Sequence, residues 1–87
     1  MVKVQKRDND HFSVTVSKGG SESTHEVELD DAYHRRLTGP EESKEELIRR
    51  SFEFLLRREP KESILGSFHL SKIAVYFPEY EQDITEA

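Results

Sequence analysis

The chain has 87 residues, 33% of them hydrophobic and 36% charged, with a formal net charge of −5 at pH 7 and no cysteine. So short a chain without an internal repeat is expected to build one hydrophobic core and one domain, residues 1–87. Disulfides, thiolate metal sites and cysteine nucleophiles are excluded, and the acidic balance opposes a non-specific hold on a phosphate backbone.

Residues 1–30 contain no apolar run of the signal-peptide or membrane-spanning kind, and neither end reads as an affinity tag. Native sequence throughout, a reducing cytoplasmic setting and no membrane partner are the expectations. The first third alternates apolar and polar residues. Val2 and Val4, then Phe12, Val14 and Val16, then His25, Val27 and Leu29 are separated by the turn-rich stretches Asp8 to Asp10 and Lys18 to Glu22. This period of two predicts strands at about 2–7, 11–18 and 23–29, joined as a three-stranded antiparallel meander. A tight turn at Gly20-Ser21 would pair Val14 with Val27 and Phe12 with Leu29, and a loop at Asp8 to Asp10 would set Val4 opposite Val14. Lys3, Gln5, Ser13, Thr15, Ser17, Thr24, Glu26 and Glu28 then form a wet outer face.

Asp30 or Asp31 is placed to cap a short helix over about 31–37, which Thr38-Gly39-Pro40 ends. Ser43-Lys44-Glu45-Glu46 matches a capping box, in which serine accepts from the third helical amide and glutamate reaches back. The main helix should cover about 44–58, because Pro60 disfavours helical geometry in the residue before it. Beyond Pro60 the spacing of Ile64, Leu65, Phe68, Leu70, Ile73, Val75, Tyr76, Phe77, Tyr80 and Ile84 predicts short helical segments at about 62–66 and 71–77. Pro78 closes the second, Glu79 to Ile84 forms a further turn or an extended arm, and Gln82 to Ala87 frays.

On a wheel of about 100° per residue, Phe54, Leu47, Ser51, Leu55, Ile48, Phe52 and Leu56 sweep an arc of roughly 200°, wider than a surface helix needs. Such a helix needs cover from two sides: the sheet on one, and the aromatic segment after Pro60 or a second copy of the chain on the other. Leu47, Ile48, Phe52, Phe54, Leu55 and Leu56 are therefore divided between core and interface, and Tyr76, Phe77 and Tyr80 are candidate docking aromatics. Glu46 to Arg50, Arg49 to Glu53 and Glu53 to Arg57 are opposite charges four apart on the remaining arc, the pattern of a solvated face. Arg35, Arg36, Arg49, Arg50, Arg57 and Arg58 are the only features that suggest an anion partner.

His11, His25, His34 and His69 have no metal-ligand spacing, and the expected register sends His25 to the apolar face and His11 to the wet one. Glu26 and Glu28 sit two apart on the wet face with no pocket implied around them. The serines belong to turns and caps, and Gly19-Gly20 is a turn without the lysine of a phosphate-binding loop. No cofactor, metal or catalytic set is expected.

Residues His25 to Asp31, Leu37, Ser43 to Arg50 and Phe54-Leu55-Leu56 resemble a ribbon-helix-helix protein. That resemblance implies a strand that pairs with a partner's strand and enters the DNA major groove, although Thr24, Glu26 and Glu28 stand where the family places basic or amide side chains. The order of three strands and then a helix is similar to antitoxins of the HicB kind. The whole pattern from Phe12 to Ile84 is similar to small prokaryotic proteins, a likeness that carries no function. The expected fold is α+β, a meander with one face covered by the main helix and short helices around it. The expected role is a non-catalytic protein-interaction or regulatory module acting as a homodimer, possible partners including another protein; the alternative is a ribbon-helix-helix type DNA-binding regulator or antitoxin.

Overall fold

A computed structural model describes residues 1–85. In chain order the elements are β1 (Val2–Lys6), β2 (His11–Lys18), β3 (Ser21–Glu28), α1 (Asp31–Leu37), α2 (Lys44–Leu56), β4 (Ser67–His69), α3 (Lys72–Tyr76) and α4 (Tyr80–Thr85). Single 3-10 turns occupy Gly39–Glu41 and Lys61–Ser63. The architecture is α+β, as the alternation and the capping signal imply. Among the described residues no helix is long and apolar enough to cross a membrane.

The sheet corrects the expected three-stranded meander: it has four strands in the order β1-β2-β3-β4, and β4 runs parallel to β3. Val27 stands beside Phe68, and the short strand is framed by Glu26 N–H to Gly66 O (2.8 Å) and Leu70 N–H to Glu28 O (2.9 Å). A parallel neighbour needs a crossover, which α1 and α2 provide.

Val4 faces Val14 as expected. The next register differs. Phe12 faces Val27, Val14 faces His25, and Lys18 faces Ser21, so the turn is Gly19-Gly20 and not Gly20-Ser21. Both glycines have positive φ, 65° and 81°, the conformation of a two-residue hairpin turn whose twist suits the strands. The slip of two residues preserves side-chain parity, so Phe12, Val14, Val16, His25 and Val27 still share the buried face.

Ser43 caps α2 through Oγ, which accepts from the Glu46 amide at 3.1 Å. The reciprocal half of the box does not form, because both Glu46 carboxylate oxygens are engaged by the Arg49 guanidinium. Asp30 occupies the cap position of α1 but makes no side-chain cap bond; its carboxylate receives His69 Nε2 at 2.9 Å. The expected helical segment near 62–66 is reduced to the 3-10 turn Lys61–Ser63, and residues from Ser67 become strand. Gln82 to Thr85 belong to α4, whereas the fraying expected of Glu86 and Ala87 falls outside the described residues.

Helix α2 is covered from two sides by its own chain. Phe52 meets His25 of the sheet and Phe68 of β4, with ring centroids 5.4 and 6.0 Å away. On the other side Phe54 meets Tyr80 and Phe77 edge to face at 5.2 and 6.0 Å. Ser51, the one polar residue inside the apolar arc, is fully buried and hydrogen-bonded to Tyr80.

Candidate interaction surface

The cover of α2 decides which expected interface residues have surface to offer. Leu47, Ile48, Phe52, Phe54, Leu55 and Tyr80 are all buried within the chain, so they fall on the core side of the expected division. Leu56 and Phe77 keep partial exposure and Tyr76 is largely exposed.

The reason lies in α3. Ile73 points into the core, so at about 100° per residue Val75 is turned to the far side and Tyr76 to the flank; accordingly Val75 and Tyr76 are 69% and 61% exposed. Leu65, 41% exposed, joins them from the loop before β4. Leu65, Tyr76, Phe77 and Lys72 surround a cleft whose floor is Leu55, Ile64, Phe68 and Ile73. Its volume is about 20 Å³, far below the several hundred Å³ of a small-molecule pocket, so it can seat part of a protruding side chain and not a substrate. Lys72 at its rim forms no ion pair among the described residues. In the sequence Leu65 and Val75 count only as members of the apolar pattern after Pro60, not as surface, and Lys72 carries no signal. The signal was present in Val75-Tyr76-Phe77, since three successive apolar residues cannot all face inward from one short helix.

The arginines are scattered and mostly occupied. Arg50 makes a two-pronged pair with Glu42, 2.7 Å on each arm, and also donates to Ile84 O; this partner replaces the expected Glu46. Arg49 pairs with Glu46 and Glu53, Arg36 with Glu81, and Arg58 with Glu79 and Asp83. The Arg58 guanidinium also lies over the Phe54 ring of α2, 3.6 Å from its centroid, while its pair with Asp83 fastens the end of α2 to α4. Arg57 reaches the Glu53 carbonyl instead of its carboxylate. Arg35, one turn after Asp31, helps to hold that carboxyl below its usual range, behind the larger effect of Lys44. Among the described residues these six arginines therefore form no open cluster of their own.

The histidines are bound into the fold. His25 Nδ1 donates to Leu65 O at 2.8 Å, since a carbonyl only accepts, and Nε2 meets Ser23 Oγ at 2.8 Å. His69 Nδ1 accepts from the Ser71 amide at 3.1 Å, which leaves Nε2 to donate to Asp30. Ser71 Oγ also lies 2.8 Å from Nδ1, so Asp30, His69 and Ser71 form a hydrogen-bonded line that no sequence spacing announced. With its amide already committed to the imidazole, Ser71 lacks its own N–H as an oxyanion donor. Among the described residues no three histidine, aspartate or glutamate side chains converge as metal ligands.

Strand β3, which the ribbon-helix-helix resemblance would pair across a dimer, has β2 on one edge and β4 along Glu26–Glu28 on the other. Comparisons with protein-family profiles, curated proteins and solved structures gave no match to this chain.

Proposed function

We propose that this chain is a non-catalytic protein-interaction or regulatory module that acts as a homodimer through the cleft bounded by Leu65, Lys72, Tyr76 and Phe77. The observation that carries this reading is the grouping of exposed apolar residues. Among the described residues, the exposed large hydrophobic side chains apart from Met1 are Leu65, Val75 and Tyr76, and all three lie in the segment that surrounds the cleft. The covered α2 face no longer argues for a partner, so the dimer rests on this patch alone. A protruding Tyr76 beside a seat too small for a ligand suits an isologous contact, in which each copy offers the other the same knob and socket. A cytoplasmic setting accompanies this reading, on the ground that the chain has no cysteine.

Sedimentation equilibrium at micromolar concentration tests it. The expected result is a dimer mass for the natural chain and a monomer mass for Tyr76→Glu and Val75→Asp, both with unchanged circular dichroism because these side chains are exposed. A monomer mass for the natural chain would sink the homodimer.

A further inference from the structure

The sheet has a second place to meet a partner, at its other edge. Met1 and Ser17 exchange both backbone bonds (2.6 and 2.9 Å), and the Arg7 amide donates to His11 O at 2.9 Å. With Lys3 opposite Thr15 and Gln5 opposite Ser13, alternation along an antiparallel ladder sends the odd residues' backbone groups to β2. The N–H and C=O groups of Val2, Val4 and Lys6 therefore point away from the sheet, along an edge where, among the described residues, no strand pairs. Val2 and Val4 are only partly buried there, so the core has an unfinished margin beside them.

The charge of this edge is opposite to that of the whole chain. Residues 2–7 contain Lys3, Lys6 and Arg7 and no carboxylate, in a protein of net charge −5. Lys3 and Lys6 form no ion pair among the described residues, and Arg7 has only a 3.4 Å contact with Glu26 between exposed side chains. A second copy of β1 would bring lysines against lysines, which opposes self-pairing. We infer that β1 accepts an extended acidic segment of another protein as a fifth strand, with its backbone paired to Val2, Val4 and Lys6, its carboxylates beside Lys3 and Arg7 on the outer face and its apolar residues beside Val2 and Val4. This surface is separate from the proposed dimer cleft, which lies beside β4 at the opposite edge of the sheet.

The probe is an end-capped peptide of alternating glutamate and valine, added to the ¹⁵N-labelled full chain, with the lysine-and-valine peptide as its counterpart. The expected result is that the glutamate peptide shifts the amides of Val2, Val4 and Lys6 and slows their hydrogen exchange. The Lys3→Glu, Arg7→Glu double variant, which reverses both cations on the outer face, should weaken binding by about tenfold. Val4→Pro removes an outward N–H that β2 does not use and should abolish binding with the sheet retained. Equal affinity for the lysine peptide, shifts confined to Leu65, Lys72 and Tyr76, or no shift at millimolar peptide would each overturn the inference. A dimer that survives Lys3→Glu, Arg7→Glu but not Tyr76→Glu keeps the two surfaces distinguishable.

Discussion

Ser51 Oγ and Tyr80 OH lie 2.6 Å apart in the buried core, joining α2 to α4. Ser51 Oγ also donates to Leu47 O at 2.7 Å, so its one hydrogen is used and the tyrosine must be the donor to Ser51. Burial drives the Tyr80 hydroxyl pKa well above the usual tyrosine range, and the proton stays where that bond needs it. Ser51→Ala strands a buried hydroxyl and should cost about 1–3 kcal/mol, whereas Tyr80→Phe removes the donor and should cost about 1 kcal/mol. The double variant should cost less than the sum of the two in urea unfolding; strict additivity would mean that the bond is not made.

Lys44 ties three parts of the chain together. Its ammonium donates to Asn9 O (2.7 Å) and Asp10 (3.2 Å) in the first loop and pairs with Asp31 (2.7 Å) at the start of α1, with only 10% of its side chain exposed. Burial opposes its charge, but the bonds to Asp31 and Asp10 outweigh that and raise its pKa. The bond from Lys44 lowers that of Asp31. A depressed carboxyl contributes stability above its unfolded value of about 3.9, and that contribution is lost as pH falls through the lower folded value. Lys44→Met should therefore lower the urea midpoint at pH 7 and narrow its difference from the natural chain at pH 3. An equal difference at both pH values would show that the pair does not carry the effect.

At the first loop Asp8 Oδ1 accepts the Asp10 and His11 amides at 2.9 Å and His11 Nδ1 at 2.8 Å. The hydrogen bond to Asp8 raises the His11 pKa, and the same bond lowers that of Asp8. By NMR, His11 should titrate above the ordinary value of about 6.5, and Asp8→Asn should bring it down. The histidine's contribution is present below that ordinary value and lost as pH rises through the folded one. Both side chains are exposed, so the change in overall stability should be slight.

The turn between β2 and β3 gives a backbone test. At Gly19 (φ 65°) and Gly20 (φ 81°) a Cβ would meet no atom within 4 Å, so any cost of substitution comes from the dihedral alone. Gly20→Val should destabilise by about 1–2 kcal/mol, while Gly19→Asn, which matches the preferred pair for this turn, should be neutral or slightly stabilising in thermal unfolding.

The elements governed by local pattern were legible in the sequence: period two placed β1 to β3, and Ser43 and Pro60 bounded α2 within about two residues. What failed was non-local. Ser67–His69 is too short to show a period and becomes a strand only because Val27 lies beside Phe68. The hairpin slipped because Gly19-Gly20 and Gly20-Ser21 are both acceptable turns, and the even slip left the buried face unchanged. Asp30 looked like a cap until His69, 39 residues away, claimed its carboxylate. For the surface, the wide arc of α2 was legible, but whether the chain itself would cover it depended on where Tyr80 and Phe77 came to rest.

Because the second cover of α2 comes from residues made after it, synthesis has an order with a consequence. While the nascent chain lengthens, the meander and α2 can meet, but the Phe54 and Ser51 side of the helix stays bare until Tyr80 has emerged. In that interval Phe54, Leu55 and a sheet edge still lacking β4 are open to other chains, which makes a stalled or shortened product the form most exposed to chaperones and aggregation.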